Sequence, residues 1–159
     1  MENYHLEQAG TPDLELIAPL FDDYRVYYGQ PTDLEGARRF LEARLANGES
    51  VLFMASAGQG ASKKAAGFAQ LYPSFSSVTM QRVWILNDLF VTAEQRGNGL
   101  GSMLLKAVEN FARSTGAKGL ELSTMTQNTG AQRLYEAHGY IRDDEFITYH
   151  LFFHKSRER

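Results

Sequence analysis

Residues 91–102 read Val-Thr-Ala-Glu-Gln-Arg-Gly-Asn-Gly-Leu-Gly-Ser. A run of strand-forming residues, Val83 to Val91, leads into three alternating glycines, and Leu100, Met103, Leu104, Ala107, Val108 and Phe111 follow at helical spacing. Glycine lets the backbone take positive φ and lets another group come close to its N–H. A helix start carries N–H groups with no intrahelical acceptor, and its dipole favours negative charge. The stretch therefore predicts a strand-to-helix turn able to hold an anion such as a diphosphate, with Arg96 adding charge. The same pattern also suits a tight packed connection. The spacing is Gly-x-Gly-x-Gly, not Gly-x-Gly-x-x-Gly early in a βαβ unit, and no Gly-Lys-Ser or Gly-Lys-Thr follows. Dinucleotide-binding and Walker-type readings drop in rank.

Around this turn the chain alternates unevenly between strand and helix patterns. Residues 3–8 alternate like a short strand. Thr11-Pro12-Asp13 reads as a helix start, and Leu14, Ile17, Leu20, Phe21 and Tyr24 carry a helix to about Tyr28. Gly29-Gln30-Pro31 breaks it. Thr32 or Asp33 caps a second helix, with Leu34, Ala37, Phe40, Leu41 and Leu45 on one face, ending at Asn47-Gly48. Residues 50–57 and 65–72 read as a hairpin, 73–77 as a loop, and 79–91 as a long strand. A helix over 99–115, a strand over 120–123 and a short helix over 128–137 follow. Residues from Tyr140 through Phe153 read as one or two final strands, and the tail from Lys155 as frayed. The order predicts an α/β (or α+β) protein: one mixed sheet with helices on both faces.

With 159 residues, one domain is expected, spanning 1–155 with a tail at 156–159. The chain has no cysteine, which excludes a disulfide framework, a thiolate zinc site and a cysteine nucleophile. His150 and His154 share a predicted strand, about 13 Å apart, so no metal site is expected. The net charge is −3, and no basic run exceeds Lys63-Lys64, so nucleic acid is not an expected partner. No apolar run approaches a membrane span, and residues 1–10 lack a secretory pattern. A cytoplasmic location is expected.

A second stretch sharpens the first. Asn128-x-x-Ala131-x-x-Leu134-Tyr135-x-x-x-Gly139-Tyr140 follows Arg96-x-x-Gly99-x-Gly101 at a distance of about 30 residues. Alone, it is a capped amphipathic helix whose tyrosine reads as core. Together, the two stretches and the element order resemble the GNAT acetyltransferase superfamily. The resemblance implies a mostly antiparallel central sheet with splayed central strands and acetyl-CoA as the acetyl donor. It implies that the backbone of Leu89, Phe90 and Val91 holds the pantetheine arm. The N–H groups from Arg96 through Gly97, Asn98, Gly99, Leu100 and Gly101 to Ser102 would hold the pyrophosphate. Asn128 would contact the arm, and Tyr135 would act as general acid toward the leaving thiolate.

Residues 82–91 also resemble the strand of the diamine and polyamine acetyltransferase branch. There Leu-Glu-Asp precedes the hydrophobic triplet, the Glu serving as base. Here Asn87 stands at that position, and an amide takes no proton at neutral pH. Asp88 remains, to hold an ammonium or to relay protons. Residues 67–76 add a likeness to yeast histone- and polyamine-acetyltransferase-like members. Asp22, Asp23, Tyr24, Tyr27, Tyr28 and Asp88 are the expected acceptor-binding set, because rings and carboxylates together cage an ammonium. The expected activity is acetyl transfer to a primary amine of a small cationic molecule: a polyamine, a diamine or an amino-acid-like amine. A non-catalytic CoA-binding module and an enzyme acting on a protein lysine or N-terminus are the alternatives. The apolar strand Phe146–Phe153 is expected to pair across a two-fold axis in a homodimer.

Overall fold

The computed structural model describes residues 3–154. The chain divides into two compact units, Met1–Thr124 and Met125–Arg159.

The first unit is a five-stranded sheet in sequence order: β1 (Tyr4–Ala9), β2 (Val51–Ala57), β3 (Lys64–Ser76), β4 (Gln81–Val91) and β5 (Gly119–Glu121). The first three pairings are antiparallel, and β4 with β5 is parallel. Helices α1 (Leu14–Tyr27) and α2 (Leu34–Ala46) lie between β1 and β2 in the chain, and α3 (Leu100–Ser114) between β4 and β5. Alternation along β2 serves both faces of the sheet. Leu52 and Met54 pack with Leu14, Ile17, Phe21 and Leu41 of α1 and α2. Phe53, between them, meets Phe111 of α3, ring centroids 5.7 Å apart. Trp84 of β4 contacts the same phenylalanine at 5.2 Å. Helices therefore cover both faces, as the sequence predicts. The close approach of α3 depends on Gly67: a Cβ there would lie 3.0 Å from the Phe90 carbonyl oxygen and 3.3 Å from Leu104 Cδ1.

Two features of β4 set the site. In its ladder with β3, Gln70 pairs with Asp88 but Leu71 pairs with Leu86, so Asn87 is an extra, bulged residue. In its ladder with β5, pairing covers only Val83 to Ile85. From Leu86 to Val91, β4 runs on without β5 beside it, which is the splay that the family resemblance implies.

Strand β3 continues to Ser76 through residues expected to be a loop. Pro73 is tolerated there because β2 pairs with β3 only as far as Leu71, so its missing N–H lies on an edge with no ladder to break. The expected final strands are corrected: residues 140–154 carry neither helix nor strand. Their apolar alternation describes which way side chains would point, but a strand also needs a hydrogen-bonded partner. Among the described residues, no helix is long and apolar enough to cross a membrane.

The α1–α2 connection is tied by one buried carboxylate. Asp22 accepts from Thr32 Oγ1 at 2.5 Å, from the Asp33 N–H at 2.9 Å and from Arg25 Nη1 at 3.4 Å. Asp33 then caps α2, accepting from the Gly36 N–H at 2.9 Å. The Asp33 backbone N–H, foremost, and the Thr32 hydroxyl hold the Asp22 carboxyl below its ordinary range. A depressed carboxyl stabilises the fold above its unfolded pKa and loses that contribution as pH falls through the folded value. Asp22→Ala is expected to lower stability at pH 7 by about 2 kcal/mol, the scale of a hydrogen bond to a charged group. In urea titrations, the gap to wild type should shrink steadily below pH 4; a constant gap would assign the effect to packing alone.

Candidate active site

The turn between β4 and α3 starts as the glycines require. Gly97 has φ +85° and Gly99, the N-cap of α3, has φ +80°. No side chain caps the helix. A Cβ on Gly97 or Gly99 would meet nothing within 4 Å, so the turn is open as well as uncapped. Leu100 and Gly101 belong to a first turn whose N–H groups have no intrahelical acceptor. The loop itself is pinned. Asn98 Nδ2 donates to the Gln95 carbonyl at 3.1 Å and to the Tyr4 hydroxyl at 3.2 Å, and that hydroxyl donates to Gln95 Oε1. Arg96 Nε donates to the Val91 carbonyl at 3.0 Å. Its guanidinium lies 5.7 Å from the Phe90 ring and 5.9 Å from the Tyr27 ring. The arrangement provides donors, room and an adjacent cation for an anionic group.

A cavity of about 380 Å³ opens between the helical layer and β4. Phe21, Tyr24, Phe40 and Tyr72 give it aromatic walls, Arg25 and Asp33 contribute charge, and Asn87 and Asp88 come from the bulge. Without the extra residue, Trp84 and Asp88 would share a face. With it, Trp84 stays against α3 while Asp88 turns into the cavity.

Asp88 is only 6% exposed. It accepts from Gln70 Nε2 at 2.7 Å, from Asn87 Nδ2 at 3.1 Å and from Tyr24. Burial pushes its carboxyl above the ordinary range, and these donors pull it partly back. Gln70, fully buried, takes a hydrogen bond on its own Oε1 from Ser50 Oγ at 2.7 Å. Tyr72 is pushed up to about 12, first by burial and then by the nearby Asp88 charge, so its phenol keeps its proton at neutral pH.

The second unit contains α4 (Thr129–Ala137). Asn128 caps it, Oδ1 accepting from the Ala131 N–H at 3.1 Å. Gln132 Nε2 donates to the carbonyls of Met125 and Thr126, fixing the entry to the helix. Gly139, at φ +92°, reverses the chain so that Tyr140 N–H donates to the Tyr135 carbonyl at 3.1 Å. The Tyr135 and Tyr140 rings meet edge to face, 5.8 Å apart.

Of the expected acceptor-binding residues, the structure brings Tyr24 and Asp88 to the cavity, with Asn87 beside them. The Asp22 carboxylate is directed at the α1–α2 connection, and Asp23 is exposed. Tyr27 and Tyr28 are exposed, Tyr28 packing edge-on against Tyr24 and Tyr27 against Phe90. Sequence reasoning missed Tyr4, Phe40, Gln70 and Tyr72. A signal existed for Gln70: a lone amide inside the apolar run 65–71 must find buried partners. Tyr72 gives none, because in the sequence it ends a strand pattern at the mouth of an expected loop.

Residues 17–140 match the Acetyltransferase (GNAT) family. The chain is 48% identical over 147 residues to the uncharacterized N-acetyltransferase YhfO of Bacillus subtilis (strain 168), covering 92% of this chain and 96% of that one. It is 33% identical over 123 residues to a probable acetyltransferase of Haemophilus influenzae, covering 77% and 82%. The crystal structure of a probable acetyltransferase superposes with a TM-score of 0.88 at 41% identity, covering 96% of this chain and 99% of that one. The chain belongs to the GNAT family and is an N-acetyltransferase.

A buried carboxyl raised above its ordinary range weakens the fold as pH rises through the interval between its unfolded and folded values. Asp88→Asn is therefore expected to melt no lower than wild type at pH 7. Its advantage should shrink as pH falls and vanish below the ordinary aspartate value of 3.8, where the wild-type carboxyl becomes protonated in both states. A variant melting well below wild type at pH 7 would show that the ionised carboxylate stabilises the fold.

Proposed function

We propose that this enzyme transfers the acetyl group of acetyl-CoA directly to a primary amine of a small cationic substrate: a polyamine, a diamine or an amino-acid-like amine. The single observation that carries this reading is the buried Asp88 carboxylate, set in an aromatic-walled cavity at the end of a splayed strand. Tyr24, Phe40 and Tyr72 offer ring faces to a cation, and Asp88 offers the counter-charge. Asn87 acts as a donor that orients Asp88, since an amide is no base. Asp88, raised by burial, takes the proton that the ammonium must lose before its nitrogen can attack.

Bound acetyl-CoA supplies the acetyl group as a thioester. The open, uncapped turn from Arg96 to Ser102 fits its diphosphate, because the glycines leave room that any Cβ would occupy. The backbone of Leu89, Phe90 and Val91 lies where β4 has lost its β5 partner and suits a hydrogen-bonding arm. A backbone N–H near Leu89 would polarise the acyl carbonyl. Asn128 spends Oδ1 on the helix cap and keeps Nδ2 for the arm. With acetyl-CoA bound, Tyr135 would supply the proton that the leaving thiolate takes up, and the proton shed by the acylated nitrogen would return to its phenol oxygen. The family match, residues 17–140, runs through both compact units, and we assign both to one catalytic domain in the cytoplasm.

The test is thiol release from acetyl-CoA against polyamines, diamino acids, aminoglycosides and lysine peptides. Saturable release with one small-amine class is expected; release only with peptides would overturn the small-substrate reading. With that amine, Tyr135→Phe is expected to lower kcat by about 10²-fold or more while CoA affinity holds. Unchanged turnover would remove the acid role.

The exposed side chains of Phe146, Ile147, Tyr149, Leu151 and Phe153 support association of two copies through this segment. Light scattering at micromolar concentration should give twice the 17.9 kDa chain mass. A monomeric mass would contradict it.

A further inference from the structure

Ser50, just before β2, Gln70 of β3 and Asp88 of β4 form a line of three polar side chains, 8%, 0% and 6% exposed. Ser50 Oγ–H donates to Gln70 Oε1 and Gln70 Nε2–H donates to Asp88 Oδ2, each at 2.7 Å. A polar side chain in the middle of a sheet costs stability unless its hydrogen bonds are met, and three apolar residues would pack there without that demand. Fold alone gives no reason for the triplet.

The chemistry of a primary amide supplies one. Its two ends are nearly equal in size but opposite in role: Nε2 donates and Oε1 accepts. Turned one way, Gln70 presents an N–H to Asp88 and favours the anion. Turned the other way, it presents a lone pair, which repels the anion and favours the protonated acid. Ser50 Oγ–H, donating to Oε1, completes the turn in which the N–H faces Asp88.

We infer that Gln70, anchored by Ser50, is the positioning residue that orients Asp88 and sets the pH at which Asp88 exchanges its proton. The functional part of this inference rests on the proposed role of Asp88 as amine acceptor. The other groups facing Asp88 leave the task to Gln70. From α1, Tyr24 donates to the carboxylate, and Arg25 is engaged with Asp22 and the Pro31 carbonyl. From the start of α2, Asp33 accepts from Gly36 N–H. Farther along α2, Arg44 is paired with Glu49 at 2.9 Å. From β3, Tyr72 stays neutral. Asn87 also donates, but it is exposed and water can replace it. Gln70 alone is wholly buried and held from behind.

The experiment is a pH titration of the full chain, labelled with 13C at the aspartate carboxyls and followed by NMR, with no ligand added. The Asp88→Asn spectrum assigns the signal. Gln70→Leu removes a hydrogen bond to a charged group and is expected to raise the Asp88 midpoint by about one pH unit or more. Ser50→Ala should raise it in the same direction by less, and Ser50→Thr, which keeps the hydroxyl, should restore it. A merely structural role would lower the melting temperature and leave the midpoint in place. If Gln70→Leu does not fold, the Ser50→Ala and Ser50→Thr pair decides. A midpoint unmoved by these substitutions overturns the inference. Because neither amine nor acetyl-CoA is present, failure of the amine panel would overturn the acceptor reading without touching this result.

Discussion

One extra residue in β4 decides which way Asp88 faces. Trp84 and Asp88 have the same parity along the strand, and in a regular ladder they would share a side. The bulge at Asn87 separates them. Trp84 stays in the apolar contact with Phe111, and Asp88 turns to the aromatic cavity under α1 and α2. A carboxylate packed against α3 would be a buried charge with nothing to do. On the other face it is a buried charge with donors around it and an opening in front.

The polar groups around β4 divide into two sets with different tasks. Asp22 gathers a hydroxyl, a backbone N–H and a guanidinium, and it holds the α1–α2 connection in place. Its depressed pKa reflects those donors. Asp88 is also well supplied with donors, yet burial outweighs them and its pKa rises. Two buried aspartates in one unit are thus driven apart by their surroundings. One is a permanent anion serving the fold. The other is held above its ordinary range by burial. Exposure does not separate the two, because both are almost equally buried.

The end of the β4–β5 ladder has a related consequence. Three paired residues are enough to join β5 to the sheet, but they leave the last six residues of β4 without β5 alongside. The strand then passes directly into the glycine turn and α3. Backbone donors along β4 and uncapped donors at the α3 start follow one another in the chain. Both sets of donors lie on one continuous segment.

Much of this was legible in the residues. Hydrophobic spacing gave α1, α2, α3 and α4, with Asp33 and Asn128 as caps, because helical periodicity and capping are local. The glycine turn and the Asn128–Tyr140 stretch carried the family, because close approach to a ligand restricts residue type at each position. Local pattern failed where a partner decides. Pro73 looked like a loop residue, but β2 had already ended beside it, and the strand could continue. Residues 140–154 alternate like a strand, yet no ladder forms there. Asp22 and Asp88 look alike in the sequence, and only the three-dimensional arrangement gives them opposite shifts: the Asp33 N–H and the Thr32 hydroxyl hold Asp22 down, whereas burial outweighs the Gln70 and Tyr24 donors at Asp88. The sequence by itself determined the elements, the caps and the turn, since each follows from neighbours in the chain. The tertiary structure decided the bulge, the cavity and the state of Asp88, since each depends on groups brought together from distant strands and helices.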